Sequence, residues 1–304
     1  MGRGGFASTF LAEDLQSGVK VVLKLPDMTQ LGDPAVYERF KREISIGKLL
    51  NHPDLPIAIS YSEGNPPYLV IKYAAGESLA QVIQEKGPFP VNEAVELVSN
   101  LLDVLDYCHQ NGVYHRDIKP ENLLLGEDGR LKIIDFGIAG MYGSPRVTYR
   151  GFSNLMGTPE YMSPEQIKGE RGSAKSDIYA VGCVIYNLLA GTPPFTGDNP
   201  LTTMYQHMTA NIRPLTDLRK DVSPGIWAAI RKSLRRRKEE RYDSAAEMAR
   251  DLRNPQNVDI SQIDVPDPPL SSMAPAKKNY WAVLLPVIVL VIGIIILFIV
   301  LSFK

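Results

Sequence analysis

The run His115-Arg116-Asp117-Ile118-Lys119-Pro120-Glu121-Asn122, followed thirteen residues later by Asp135-Phe136-Gly137, constrains this chain more than any other feature. Moving a phosphoryl group needs little covalent help from a protein. It needs a carboxylate to orient the attacking hydroxyl, and oxygen ligands that hold a hard cation on the phosphates. Asp117 suits the first task. Asn122 and Asp135 suit the second, because Mg²⁺ prefers carboxylate and amide oxygens and usually takes only a few of them from protein. A chance polar loop between two apolar elements is the alternative, and it leaves the agreement of several fixed positions unexplained.

The pattern H-R-D-x-K-x-x-N plus D-F-G resembles that of the eukaryotic-type, or Hanks-type, protein kinases. That resemblance implies an α+β, two-lobed fold, with a small β-rich N-lobe and a larger helical C-lobe. It also implies ATP as donor, Mg²⁺ as cofactor with Mn²⁺ as an alternative, and protein substrates. Lys119, two residues after Asp117, resembles the lysine of the serine/threonine branch and would neutralise charge on the migrating phosphoryl. Asp117, Lys119 and Asn122 are the catalytic candidates, and Asn122 and Asp135 the metal ligands. Arg116 would pair with a phosphate placed on the segment from Asp135 to Glu165, with Thr148 and Ser153 as the candidate acceptors.

Further landmarks extend the resemblance from residue 2 to about 254. Gly2-Arg-Gly-Gly-Phe-Ala7 resembles the glycine-rich loop over the ATP phosphates, with Gly2 and Gly4 as nucleotide contacts. Ala7 stands at the third glycine and Thr9 at the usual valine, and most of the first strand is expected to be missing. Strands are expected over Ser8 to Glu13 and Val19 to Leu25. Lys24 matches the strand lysine that contacts the phosphates, and Glu43 its partner on a helix from about Pro34 to Leu50, whose apolar side carries Phe40, Ile44 and Leu50. Surface charge is the alternative for both. Gly47 and Ala58 fall where the family places bulky side chains. Ile71 resembles the gatekeeper, Ala74 the residue whose backbone meets adenine, and Leu124 the floor of that pocket. Gly157 to Glu165 resembles the end of an activation segment, with Ser163 in place of an alanine, and Asp177 opens the next helix. Arg241 matches the arginine that forms a buried ion pair with Glu165. Val91 to Gln110 has helical apolar spacing and stops at Asn111-Gly112.

The rest of the chain reads from composition. With 33 basic and 34 acidic residues in 304, no net charge points to nucleic acid as a partner. Cys108 and Cys183 share no metal-ligand spacing and read as buried thiols. The cluster Arg231-Lys232 and Arg235-Arg-Arg-Lys238 reads as a solvated helix end, with contact to anionic lipid as the competing idea. Residues 255–279, rich in proline, read as a disordered juxtamembrane linker. Residues 280–303 read as one transmembrane helix: Trp281 to Phe303 is apolar throughout, and as a helix it would span roughly 34 Å. A buried core helix is the alternative. Lys277 and Lys278 mark the preceding side as cytoplasmic, and the start has no signal-peptide apolar core. The expectation is a kinase domain over 1–254 on the cytoplasmic face of a cell membrane, anchored by a single pass, with no extracellular sensor. A dimer for trans-autophosphorylation stays open, and a pseudokinase scaffold is the alternative to the enzyme.

Overall fold

Among the described residues, a four-stranded antiparallel sheet comes first. Its strands are β1 (Ala7–Glu13), β2 (Lys20–Pro26), β3 (Ala58–Ser62) and β4 (Tyr68–Lys72), in the order β1-β2-β4-β3. The structure is a computed structural model, and it describes residues 7–26, 34–64, 66–136, 140–141, 158–261, 263 and 265–268. The glycine-loop residues Gly2 and Gly4, as well as Ile138, Thr148, Ser153 and 280–303, lie outside the described residues. Among those described, no helix is long and apolar enough to cross a membrane.

Helix α1 (Pro34–Leu49) belongs to two cores at once. Phe40 and Ile44 pack with Val22, Leu69 and Ile71 of the sheet. Ile46 and Leu50, farther along, join the large core of the helical lobe instead. The expected apolar side was therefore right, but it is wider than Phe40, Ile44 and Leu50. Gly47 faces the sheet closely, so that a Cβ there would stand 3.0 Å from the Cβ of Ala58. The two small residues admit a close approach of helix to strand.

The helical lobe starts with β5 (Gly76–Ser78), α2 (Leu79–Lys86) and α3 (Val91–Gln110). It continues through β6 (Val113–Tyr114), β7 (Leu123–Gly126), β8 (Leu131–Ile133) and β9 (Gly140–Met141). Strands β5, β7 and β8 form one small sheet, and β6 pairs with β9. Then come α4 (Pro164–Ile167), α5 (Ala174–Ala190), α6 (Pro200–Thr209), α7 (Leu215–Leu218), α8 (Pro224–Ser233) and α9 (Ala245–Arg253).

Helix α3 has the bounds its periodicity gave, and its C-terminal Asn111 amide returns to the carbonyls of Tyr107 and Cys108. Leu97 and Val104 are buried as well, so more than one face is covered. Helix α5 is apolar all round and buried from Ser176 to Leu189, as a central helix must be. It opens at Ala174, three residues before Asp177, because Ser173 and Ser176 cap its first turn. Asp177 is thus inside the first turn and fully buried. Cys108 and Cys183 are free and buried, and burial pushes both thiols up, Cys108 to about 12.

Two compositional expectations are corrected. Arg231, Arg235 and Arg236 are buried rather than solvated. The segment after residue 254 also does not leave the domain at once. It forms a 3-10 turn at Pro255–Asn257, and the compact unit runs to Asp267, itself buried.

Candidate active site

Strand pairing brings the two candidate metal ligands together. Leu123 of β7 pairs with Ile133 of β8, and the Ile134 amide donates to the Asn122 carbonyl at 3.1 Å. Asn122 and Asp135 therefore flank the same end of one hairpin. Asn122 Nδ2 donates to the Asp117 backbone oxygen at 2.8 Å and to Asp117 Oδ2 at 2.9 Å. That leaves its amide oxygen as the end suited to a cation. Lys119 Nζ lies 3.2 Å from Asp117 Oδ2, so the catalytic candidates form one cluster.

Lys24 is on β2, and its neighbours come from both lobes. Its Nζ forms an ion pair with Glu43 of α1 and sits 3.4 Å from Asp135 Oδ1. Burial opposes the charged ammonium, but the two carboxylates outweigh it and raise its pKa above the ordinary lysine value. Burial, and repulsion from Asp135, push the Glu43 carboxyl up, while Lys24 works against the rise. A buried ammonium between two carboxylates keeps its charge. The side chain of Asp135 is 49% exposed against 9% for Lys24, so the carboxylate stays reachable from solvent.

The loop that carries Asp117 is held from below by a residue the sequence reading treated only as a helix landmark. Asp177 Oδ2 accepts from the His115 amide at 2.9 Å, and Oδ1 from the Arg116 amide at 2.7 Å. His109 Nε2 lies 2.8 Å from Oδ2. Burial works to raise the Asp177 carboxyl, but His109, the nearby His115 and the Arg116 amide hold it below the usual range. A carboxylate inside an otherwise apolar helix was the available signal, since a buried charge must find partners.

Two further links join this loop to the end of the next segment. Gln166 Nε2 donates to the Arg116 carbonyl at 2.9 Å, and Gln166 Oε1 accepts from both the amide and the hydroxyl of Ser163. Ser163, in its unusual position, thus serves at the start of α4. Glu165 takes two 2.8 Å bonds from the Arg241 guanidinium and one at 2.7 Å from Ser176 Oγ. The expected buried ion pair is present.

Ala74 lies half-buried in the link between β4 and β5. Strand β5 pairs with β7, setting Ser78 opposite the half-buried Leu124. Ile71 is buried against Val22. Among the described residues, no three or more His, Cys, Asp and Glu side chains cluster as a metal site. Asn122 and Asp135 fit instead a hard divalent cation that takes only a few ligands from protein.

A family model for the protein kinase domain matches residues 1–252. The chain belongs to the protein kinase family. This kinase is 36% identical over 258 residues to the serine/threonine-protein kinase PknB of Mycobacterium leprae, covering 83% of this chain and 41% of that protein. It is 34% identical over 274 residues to PknB of Mycolicibacterium smegmatis, covering 88% and 43%. A probable serine/threonine-protein kinase of Streptomyces coelicolor is 35% identical over 259 residues, covering 83% and 38%. The kinase thus spans less than half the length of these relatives.

Proposed function

We propose that this chain transfers the γ-phosphoryl of ATP to serine or threonine hydroxyls of proteins, itself included. The observation that carries the reading is the cluster of Asp117, Lys119 and Asn122 on one loop, with Lys24 tied to both Glu43 and Asp135. Lys24 positions the α and β phosphates, and Glu43 positions Lys24. Asp117 accepts the hydroxyl proton as the new oxygen–phosphorus bond forms and the bond to the ADP oxygen breaks. Lys119 neutralises charge on the phosphoryl in flight, where a preformed cation costs no reorganisation. Asn122 and Asp135 hold Mg²⁺, which would screen the phosphates from one another. Gly2, Gly4, Ala74 and Leu124 complete the nucleotide site.

The apolar run over 280–303 anchors the kinase in a cell membrane, with the catalytic domain in the cytoplasm, where ATP is. Lys277 and Lys278 support that orientation. Ile138, after Asp135-Phe136-Gly137, favours threonine acceptors over serine, by resemblance to kinases with a β-branched residue there.

The test is phosphate transfer from Mg-ATP by the full chain in detergent, beside Asp117→Asn and Lys24→Met. Both variants lose most turnover while their melting curves stay close to the parent. Near-parental turnover by Asp117→Asn would refute the mechanism. A pseudokinase scaffold binds nucleotide in this assay and transfers none. Peptides differing only in Ser or Thr test the preference, and protease shaving of intact cells tests the sidedness.

A further inference from the structure

The buried arginines of the C-lobe have an unusual partner. Arg231, Arg235 and Arg236 are each less than a tenth exposed. A buried guanidinium must have acceptors for its donors. Here they come from the Val265–Asp267 segment, some thirty residues on. Arg231 reaches Asp267 Oδ2 at 2.9 Å and the Val265 carbonyl at 3.2 Å. Arg235 reaches Asp267 Oδ1 at 3.1 Å and the same Val265 carbonyl at 2.9 Å. Arg236 donates to the Asp267 carbonyl at 2.8 Å and also to the Ala210 carbonyl. Both carboxylate oxygens and two backbone oxygens of the segment are engaged.

The segment brings little apolar surface to this contact. Val265 and Pro266 are exposed, and only the Asp267 side chain is buried. Ile263 adds one half-buried anchor on the core. The approach route is built in: the chain crosses α8 at Gly225, where a Cβ would stand 1.9 Å from the Pro255 carbonyl oxygen. Two guanidinium groups face one carboxylate, and a third takes the backbone carbonyl of the same residue. Recognition of this type reads backbone carbonyls for affinity and one charged side chain for choice of partner.

The arginine loop also touches the catalytic side. Arg241 Nε donates to the Arg235 carbonyl at 2.7 Å and Nη2 to the Arg236 carbonyl at 3.2 Å, while the same guanidinium grips Glu165. Asp267 thus holds the side chains of the two residues whose backbones hold Arg241.

We propose that Arg231, Arg235 and Arg236 form a docking site for an extended, carboxylate-bearing peptide, and that residues 259–268 of the chain itself occupy it as an exchangeable strap. Contacts made of charge and backbone acceptors exchange for an equivalent partner at small net cost. A tethered segment competes at an effective concentration on the order of millimolar, so the parent protein masks the site from free peptide.

The experiment uses the full chain in detergent micelles and a fluorescent peptide with the sequence of residues 259–268. Asp267→Ala should bind the peptide at least about a hundredfold more tightly than the parent does, since the internal competitor is weakened. Adding Arg231→Gln and Arg235→Gln should abolish the binding, and so should Asn for Asp in the peptide. Equal binding by the parent and Asp267→Ala, or binding that survives loss of the arginines, overturns the proposal. So does a site in Asp267→Ala that takes anionic lipid vesicles and ignores the peptide. Should Asp267→Ala fail to fold, hydrogen exchange of the parent decides. Peptide raised well above the strap's effective concentration, to on the order of ten millimolar, that speeds exchange across residues 259–268 supports an exchangeable strap, and unchanged exchange at that concentration overturns it.

Discussion

Asp177 Oδ1 holds the amide of Arg116 at 2.7 Å, with the Arg116 backbone at a φ of 69°. Among the described residues, no other non-glycine residue has a positive φ. That conformation costs a side-chain-bearing residue roughly 1–2 kcal/mol and needs its surroundings to maintain it. It turns the chain just before Asp117. Asp177→Asn keeps the shape but presents an NH₂ group to donors, and should destabilise the domain by about 2–4 kcal/mol. Urea unfolding measures this. The kcat should fall by about a hundredfold, because small misplacements of a catalytic group are expensive. Unchanged stability and kcat would refute the bracing role.

Acid should loosen the domain through its buried carboxylates. Burial works to raise Glu165, Asp54 and Asp177, but Arg241 with Ser176, Arg130 with Lys132, and His109 respectively outweigh it, so all three lie below their ordinary values. A carboxyl depressed on folding stabilises above its unfolded pKa, 4.5 for Glu and 3.8 for Asp. That stabilisation is lost as pH falls through the lower folded value. The melting temperature should therefore hold from pH 7 to about 5 and drop steeply below about 4. A flat profile down to pH 3 would contradict the three ion networks.

Gly47 and Ala58 make a size-matched contact between α1 and β3. Bulky side chains at these places would not fit the observed spacing, since a Cβ on Gly47 already meets Ala58 at 3.0 Å. Gly47→Leu should cost about 1–3 kcal/mol by overpacking. It should also lower kcat by tilting Glu43, four residues earlier, away from Lys24. Thermal melting together with steady-state kinetics checks both effects, and a stabilised, fully active variant would show that the helix has room to move.

Arg116 is set up to receive an anion. Its Nε donates to the Gly172 carbonyl at 2.7 Å. Burial first, then the like charges of Arg171 and Arg42, push its pKa down to about 10. A phosphate on Thr148 or Ser153 would relieve that crowding through charge-assisted bonds. Mass spectrometry of active protein should find phosphate between residues 141 and 158, and Arg116→Gln should remove the activation it brings. Active protein without phosphate there would count against it.

The catalytic cluster was readable because its residues sit close together in the chain and their chemistry is specific. Lys24 and Glu43 were legible through the family resemblance, with a β-branched run around Lys24 and a helical period around Glu43 only agreeing with it. Asp177 was missed in its main role because its partners, His109, His115 and Arg116, are some sixty residues away and nothing local marks the pairing. The arginine cluster misled for the converse reason. Adjacent charges usually mean solvent, and its counter-charge is one aspartate inside a proline-rich stretch. Gly47 facing Ala58 was visible as an oddity at two positions, but their contact is a property of the fold.

Were residues 280–303 to sit in a bilayer, as proposed above, docking of Asp267 would also shorten the leash of the catalytic domain. Measured from residue 254, twenty-five residues (255–279) precede the apolar run, and a fully extended chain of that length reaches at most about 90 Å. Measured from Asp267, twelve residues (268–279) remain, with a reach of at most about 43 Å. With residues 280–303 in a bilayer, strap release would roughly double the depth of cytoplasm that the domain can sample, setting which targets come within range.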